Sequence, residues 1–252
     1  MIQLYKRIQR MREKYVDTIA KLYDYATTVY GKRQYTQWYD TKEGGYTYAS
    51  FKSKCDGLSK KLTQYGIGAG DKVAILAQSM PNWSVAFFSI VPFGRIAIPI
   101  LPDSSENEVT NIINHSDSRI LFLSVDYWTK LDPEKFEQLE AVVDYETMNV
   151  LWEKEEGTIS SLYNNIETLF AERYPKGFST EDIIYPEVTN DKVCIISYTS
   201  GTTGLSKGVM LTVNNVTANV VFAIEYKFHY RGSRVLGILP LAHAFGCAFD
   251  ML

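Results

Sequence analysis

The chain has 252 residues, 46% of them hydrophobic, enough for one or two ordinary domains with a real core. Its net charge of −3 argues against a general nucleic-acid binder. Three cysteines, Cys55, Cys194 and Cys247, show neither metal-ligand spacing nor the even number of a disulfide framework, so reduced thiols in a cytoplasmic setting are expected. Charge is unevenly placed: residues 1–72 carry fourteen Lys and Arg against seven Asp and Glu, while 132–191 carry four against fifteen. Such asymmetry marks a membrane-facing or partner-facing surface, or more commonly only the solvated faces of separate segments.

Met1 to Tyr30 reads as an amphipathic helix, because Leu4, Ile8, Met11, Tyr15, Ile19, Leu22 and Tyr23 recur at three- and four-residue steps. No uninterrupted apolar stretch follows the first basic residues, so no signal peptide is read. Lys6, Arg7, Arg10, Arg12 and Lys14 could hold an anionic membrane surface. Packing of the helix on its own domain is the plainer reading. Gly44 to Tyr48 suggests a hairpin turn and strand, and Ala49 to Tyr65 a helix with Phe51, Cys55, Leu58 and Leu62 on one face. Gly66-Ile67-Gly68-Ala69-Gly70-Asp71 looks like a nucleotide loop, but it precedes the strand Val73 to Leu76 instead of following one. It reads as a helix C-cap and tight turn.

Trp83 to Leu101 is apolar and almost long enough to span a bilayer. Pro92, Gly94, Arg95 and Pro99 cut it into a helix and a strand, Ile96 to Ile100. Glu106 to His115 reads as a helix whose His115 is a capping or surface histidine, and Ile120 to Val125 as a buried strand. This alternation implies βαβ units, so the fold class is α/β, mainly parallel strands flanked by helices. From Leu131 to Asp191 the pattern weakens to short strand candidates, Ala141 to Val143 and Asn149 to Trp152, and a helix from Ser161 to Tyr174. The carboxylates there have no spacing that suggests a metal site or acid–base chemistry, and none is assigned.

Val193 to Leu211 carries the chemistry, reading VCIISYTSGTTGLSKGVML. Val193-Cys194-Ile195-Ile196 is the kind of run expected for a strand buried on both faces. Glycines, the hydroxyls of Thr199, Ser200, Thr202 and Thr203, and the Lys207 ammonium follow, a donor-rich pocket suited to a polyphosphate. It is no Walker A loop, because Lys207 is followed by Gly208-Val209 and not by Ser or Thr. The glycines do not fit the dinucleotide fingerprint, and neither Ser197 nor Ser200 sits in a hydrolase elbow. Asn214 to Tyr226 reads as a helix capped by Thr212 or Asn214, and Val235 to Leu239 as a last strand. The run Ala244 to Leu252 is expected to present a bare apolar surface, and with it self-association into a homo-oligomer.

Tyr198 to Val209, YTSGTTGLSKGV, resembles the phosphate-loop signature of the AMP-forming acyl-CoA synthetases, in the adenylate-forming superfamily that includes the long-chain fatty acid–CoA ligases. Ser206 stands where that family has Pro, which removes a rigid φ but no donor. Leu239-Pro240-Leu241-Ala242-His243-Ala244-Phe245-Gly246 is similar to the family's His-x-Phe-Gly acyl-pocket motif, in the right order and spacing. Tyr46-Thr47-Tyr48, Gly66-Ile67 and Gly70 to Ile75 extend the resemblance from about Ile19 onward. It implies ATP, Mg²⁺ and coenzyme A as co-substrate, and a fatty acid or other small carboxylic acid. It also implies phosphate binding by Thr199, Ser200, Gly201, Thr202, Thr203, Gly204 and Lys207, with Lys207 and Thr202 catalytic, and an acyl site at His243, Phe245 and Gly246.

Adenylation of an aryl or amino acid for a carrier protein, or nucleotide binding without turnover, stand as alternatives. The family's Mg²⁺-holding acid, ribose aspartate and C-terminal lysine find no counterpart, so the chain reads as the N-terminal part of a larger enzyme, inactive alone. Residues 71–228 are expected to form an α/β subdomain carrying the phosphate loop. Residues 1–70 then form the helix and first piece of a second subdomain, to which 229–252 return.

Overall fold

A computed structural model of the chain describes Lys6 and residues 18–37, 45–177, 182–187, 189–199, 206–226, 232–244 and 246–251. Its first elements are α1 (Ile19–Val29), β1 (Gln34–Thr36), β2 (Tyr46–Thr47) and α2 (Tyr48–Gln64). An alternating series follows: β3 (Lys72–Leu76), α3 (Pro81–Ile90), β4 (Ile96–Ile100), α4 (Glu106–Ser116) and β5 (Ser118–Leu123). Next come β6 (Ala141–Asp144), β7 (Val150–Glu153), α5 (Thr158–Asn164) and α6 (Ile166–Arg173). The series ends in β8 (Val193–Thr199), β9 (Lys207–Thr212) and α7 (Val213–Glu225). Of the expected helix over 1–30, α1 is present and capped by the Thr18 hydroxyl; apart from Lys6, residues 1–17 lie outside the described residues.

Seven strands form one sheet in the order β7-β6-β5-β3-β4-β8-β9. The interior pairs are parallel, and each edge strand, β7 on β6 and β9 on β8, is antiparallel. Alternation of side chains across the pleat divides the interior into two cores. Val73, Ile75, Ala97, Ile120 and Phe122 face the helices α1, α2 and α3. Ala74, Leu76, Ile98, Leu121 and Leu123 face α4 through Val109, Ile112 and Ile113. Local chemistry agrees with these boundaries. Pro81 opens α3 at a position where its missing N–H costs nothing. Ser105 and Glu108 form a capping box at the start of α4, and Asp117 ends it in the left-handed region, at φ 54°.

Arg95 ties the first core together. Its buried guanidinium donates to Ser59 Oγ (2.8 Å) and O (3.1 Å), Thr63 Oγ1 (2.7 Å), Ile67 O (2.9 Å) and Ser89 O (3.1 Å). Loss of hydration pulls its pKa down to about 10, with the Asp71 carboxylate opposing. A second polar cluster joins α1 and α2. There Lys52 Nζ lies 3.2 Å from Asp24 and 3.6 Å from Asp56 and donates to the Tyr185 hydroxyl at 2.7 Å, while Tyr23 donates to Asp56 at 2.9 Å.

Glu153, at the end of β7, caps the next helix by accepting from the backbone N–H groups of Gly157 (2.7 Å), Ile159 (2.8 Å) and Ser160 (2.9 Å). Burial opposes its ionisation, but these bonds and the Ser160 hydroxyl prevail and hold the carboxyl down at about 2. A carboxyl lowered by folding contributes stability above its unfolded value of 4.5, and that contribution is lost as pH falls toward 2. Glu153→Gln is therefore expected to be less stable than wild type at neutral pH, with the gap closing as pH falls through that window. Urea midpoints across a pH series check this, and a gap that stays constant overturns it.

Four expectations need correction. The expected strand Val235 to Leu239 does not form: Leu236 and Ile238 are 59% and 80% exposed, and among the described residues no strand pairs with the segment. The run after Ala244 is not bare, since Cys247 and Met251 are buried in the first core and the Tyr35 hydroxyl donates to Met251 O at 3.3 Å. In β8 only Cys194 and Ile195 are buried, and Met210, opposite Ile196 on β9, is 66% exposed. The expected helix over 161–174 is two, α5 and α6. No described helix is long and apolar enough to cross a membrane.

Candidate functional site

The phosphate-loop sequence joins β8 to β9, so its two stems are neighbouring antiparallel strands. Thr199 pairs with Lys207, Tyr198 with Gly208 and Ser197 with Val209. Thr199 and Lys207 therefore face each other at the mouth of the loop, both exposed at the end of the sheet where the parallel strands finish. Ser200, Gly201, Thr202, Thr203 and Gly204 lie outside the described residues. The pairing places one ammonium and one hydroxyl where the loop begins and ends, as charge stabilisation of a phosphate requires.

The same end of the sheet is a topological switch point. The helix after β3 packs on one face and the helix after β4 on the other, the arrangement that opens a crevice beyond the strand ends. The His243 segment is moored here by one side chain. Ser79, just past β3, accepts from Leu241 N at 2.8 Å and donates to Leu239 O at 3.3 Å. His243 is exposed, and the backbone turns beneath it through Cys247 N to His243 O at 3.0 Å. Gly246 is required by space, since a Cβ there would sit 2.6 Å from Pro240 O. Phe245 lies outside the described residues.

Between the two signatures is a cavity of about 130 Å³. Ser197 and Leu211 of the loop stems, Asn219 of α7, and Ala242, Ala244 and Cys247 of the second signature line it. Most of this lining is apolar, which suits a hydrocarbon group more than a charged one. None of the three cysteines offers a nucleophile: burial raises the thiols of Cys55 and Cys247 and pushes Cys194 up to about 12. Among the described residues no group of three or more His, Cys, Asp or Glu side chains could hold a metal ion.

Two contacts here escape sequence reasoning. Ser79 carries no motif and is 162 residues from Leu241. His115, read as a cap or surface residue, places Nδ1 2.7 Å from the Tyr198 hydroxyl, 83 residues along the chain. Only the sheet order, with β4 between β3 and β8 and α4 beside it, brings such pairs together.

Comparison with known proteins agrees with this geometry. The family profile described as AMP-binding enzyme matches residues 25–252. Bacillus subtilis YngI is 28% identical over 96% of this chain and 46% of its own length. Fatty acyl-CoA synthetase A of Dictyostelium discoideum is 25% identical over 82% of this chain and 31% of its own. The chain thus spans less than half the length of these curated relatives. Among solved structures, a long-chain-fatty-acid-CoA ligase (FadD1) from Archaeoglobus fulgidus superposes with a TM-score of 0.70 at 19% identity, covering 92% of this chain and 44% of that one. With its sheet, its loop stems and its second signature placed as described, the chain belongs to the AMP-binding enzyme family, whose members similar to it include acyl-CoA synthetases.

Proposed function

We propose that the protein containing this chain joins a fatty acid to ATP, giving acyl-AMP and pyrophosphate, and then passes the acyl group to the thiol of coenzyme A with release of AMP. One observation carries the reading: the phosphate-loop stems and the His243 segment meet at the same switch point of the sheet, with an apolar cavity between them. A carboxylate is a weak nucleophile, so rate depends on holding it in line with the α-phosphate and on offsetting charge as pyrophosphate departs. Lys207 supplies the cation, and Thr199 with Ser200 to Gly204 supply hydroxyl and amide donors. Thr202 acts with Lys207 at that step. His243, Phe245 and Gly246 shape the entrance for the acyl chain. Among the described residues no group of three or more His, Cys, Asp or Glu could hold a metal ion, and no step is assigned to Mg²⁺.

Residues 71–228 form the subdomain that carries the loop, while 1–70 and 229–252 belong to a second; the cytoplasm is the setting in which three unpaired thiols are retained. Pyrophosphate release measured over alkanoic acids of increasing length, with benzoic and amino acids alongside, tests the reading. Release with long alkanoic acids, and thioester only when coenzyme A is added, is expected. Release confined to aryl or amino acids, or none with any acid, overturns it.

A further inference from the structure

The contact between α4 and the loop stem is unlike the rest of the α4 interface. That interface is apolar, made by Val109, Ile112 and Ile113 against Ala74, Ile98 and Leu121. His115, in the last turn of α4, is exposed and contributes nothing to that packing. It reaches the Tyr198 phenol instead, with 2.7 Å between Nδ1 and Oη and the two rings edge to face at 5.7 Å and 88°.

Tyr198 is the last residue before the Thr199–Lys207 pair, and its ring lies across Gly208 of the opposite stem. A Cβ on Gly208 would stand 2.9 Å from Ile196 Cγ2, 3.2 Å from Tyr198 Cζ and 3.4 Å from Tyr198 Oη. Gly208 has no positive φ, so the glycine serves space and not backbone freedom. Burial raises the phenol above its ordinary value, with Asp117 adding to this, so the hydroxyl keeps its proton. One ring is thus pressed on one stem, rooted in the other, and held at its tip by a helix outside both.

We propose that His115 is a positioning residue, holding Tyr198 flat across Gly208 and so fixing the spacing of Thr199 and Lys207. The proposal rests on Lys207 acting at the phosphates. Without the hydrogen bond, the ring can swing off Gly208 and the two stems lose their common reference. The loss of one such bond corresponds to about a fivefold change in an equilibrium.

Hydrogen exchange of the Tyr198, Thr199, Lys207 and Gly208 amides, with titration of ATP, tests it on the 252-residue chain. In His115→Leu and Tyr198→Phe these amides should exchange about fivefold faster and ATP affinity should fall by a similar factor. His115→Asn, whose amide can reproduce the Nδ1 contact, should recover both. The double variant His115→Leu/Tyr198→Phe should be no worse than either single one. Gly208→Ala should mimic them by displacing the ring. If wild type binds no ATP, the reading of Lys207 fails, while the exchange data still decide whether His115 holds the stems. Unchanged stem amides in His115→Leu, or additive single effects, overturn the proposal.

Discussion

Arg95→Ala is expected to destabilise the fold by about 2–5 kcal/mol, the range for deleting a large buried side chain together with its hydrogen bonds. The buried charge itself costs hydration, and replacing a buried ion pair by apolar groups can be neutral. That escape is closed here, because the partners are no carboxylate that could be exchanged as well. They are the backbone carbonyls of Ile67, Ser89 and Ser59 and the hydroxyls of Ser59 and Thr63, on three separate segments. Arg95→Met keeps the length of the side chain but none of the five donors, so it should recover only the packing part of the loss. Urea unfolding reads the result as a lower midpoint at unchanged slope. A wild-type midpoint in Arg95→Ala would show that these bonds contribute nothing net.

Lys207→Ala is expected to slow acyl-adenylate formation by at least about tenfold, the lower end of what removing one preorganised charge-stabilising group costs. On the proposed reading the effect falls on the chemical step, where Lys207 would meet charge that grows as pyrophosphate leaves. Lys207→Arg keeps the charge but changes its shape and should recover part of the rate. Single-turnover measurement of acyl-AMP separates this step from thioester formation. Wild-type rates in Lys207→Ala would remove the loop stem from the mechanism.

Much of this arrangement was legible in the chain because local signals and tertiary context agree. The strand expected at Ile96–Ile100 matches β4 to the residue, and the expected Val73 to Leu76 and Glu106 to His115 are each one residue shorter than β3 and α4. In these segments the apolar period, the Pro or capping residue and the buried face all point the same way. Val235 to Leu239 has the same apolar composition and fails, because a strand depends on its neighbour and none pairs with it among the described residues. The apolar run after Ala244 departs from its local sequence for the converse reason: Cys247 and Met251 find cover from a core built by residues far away in sequence. The site divides in the same manner. Small residues and one lysine suggest a phosphate loop by composition, whereas the partners of Arg95, Ser79 and Tyr198 follow only from the order in which strands lie.

The way Tyr198 is seated also bears on how such a loop could be moved between proteins. A designer copying YTSGTTGLSKGV onto another β-hairpin would carry the glycine that makes room for the ring, but not the histidine that holds it. On a host without a helix ending beside that strand, the aromatic ring would have nothing at its tip and could rotate away. The smallest transferable unit is then no contiguous sequence: it is a hairpin together with the end of the helix next to it.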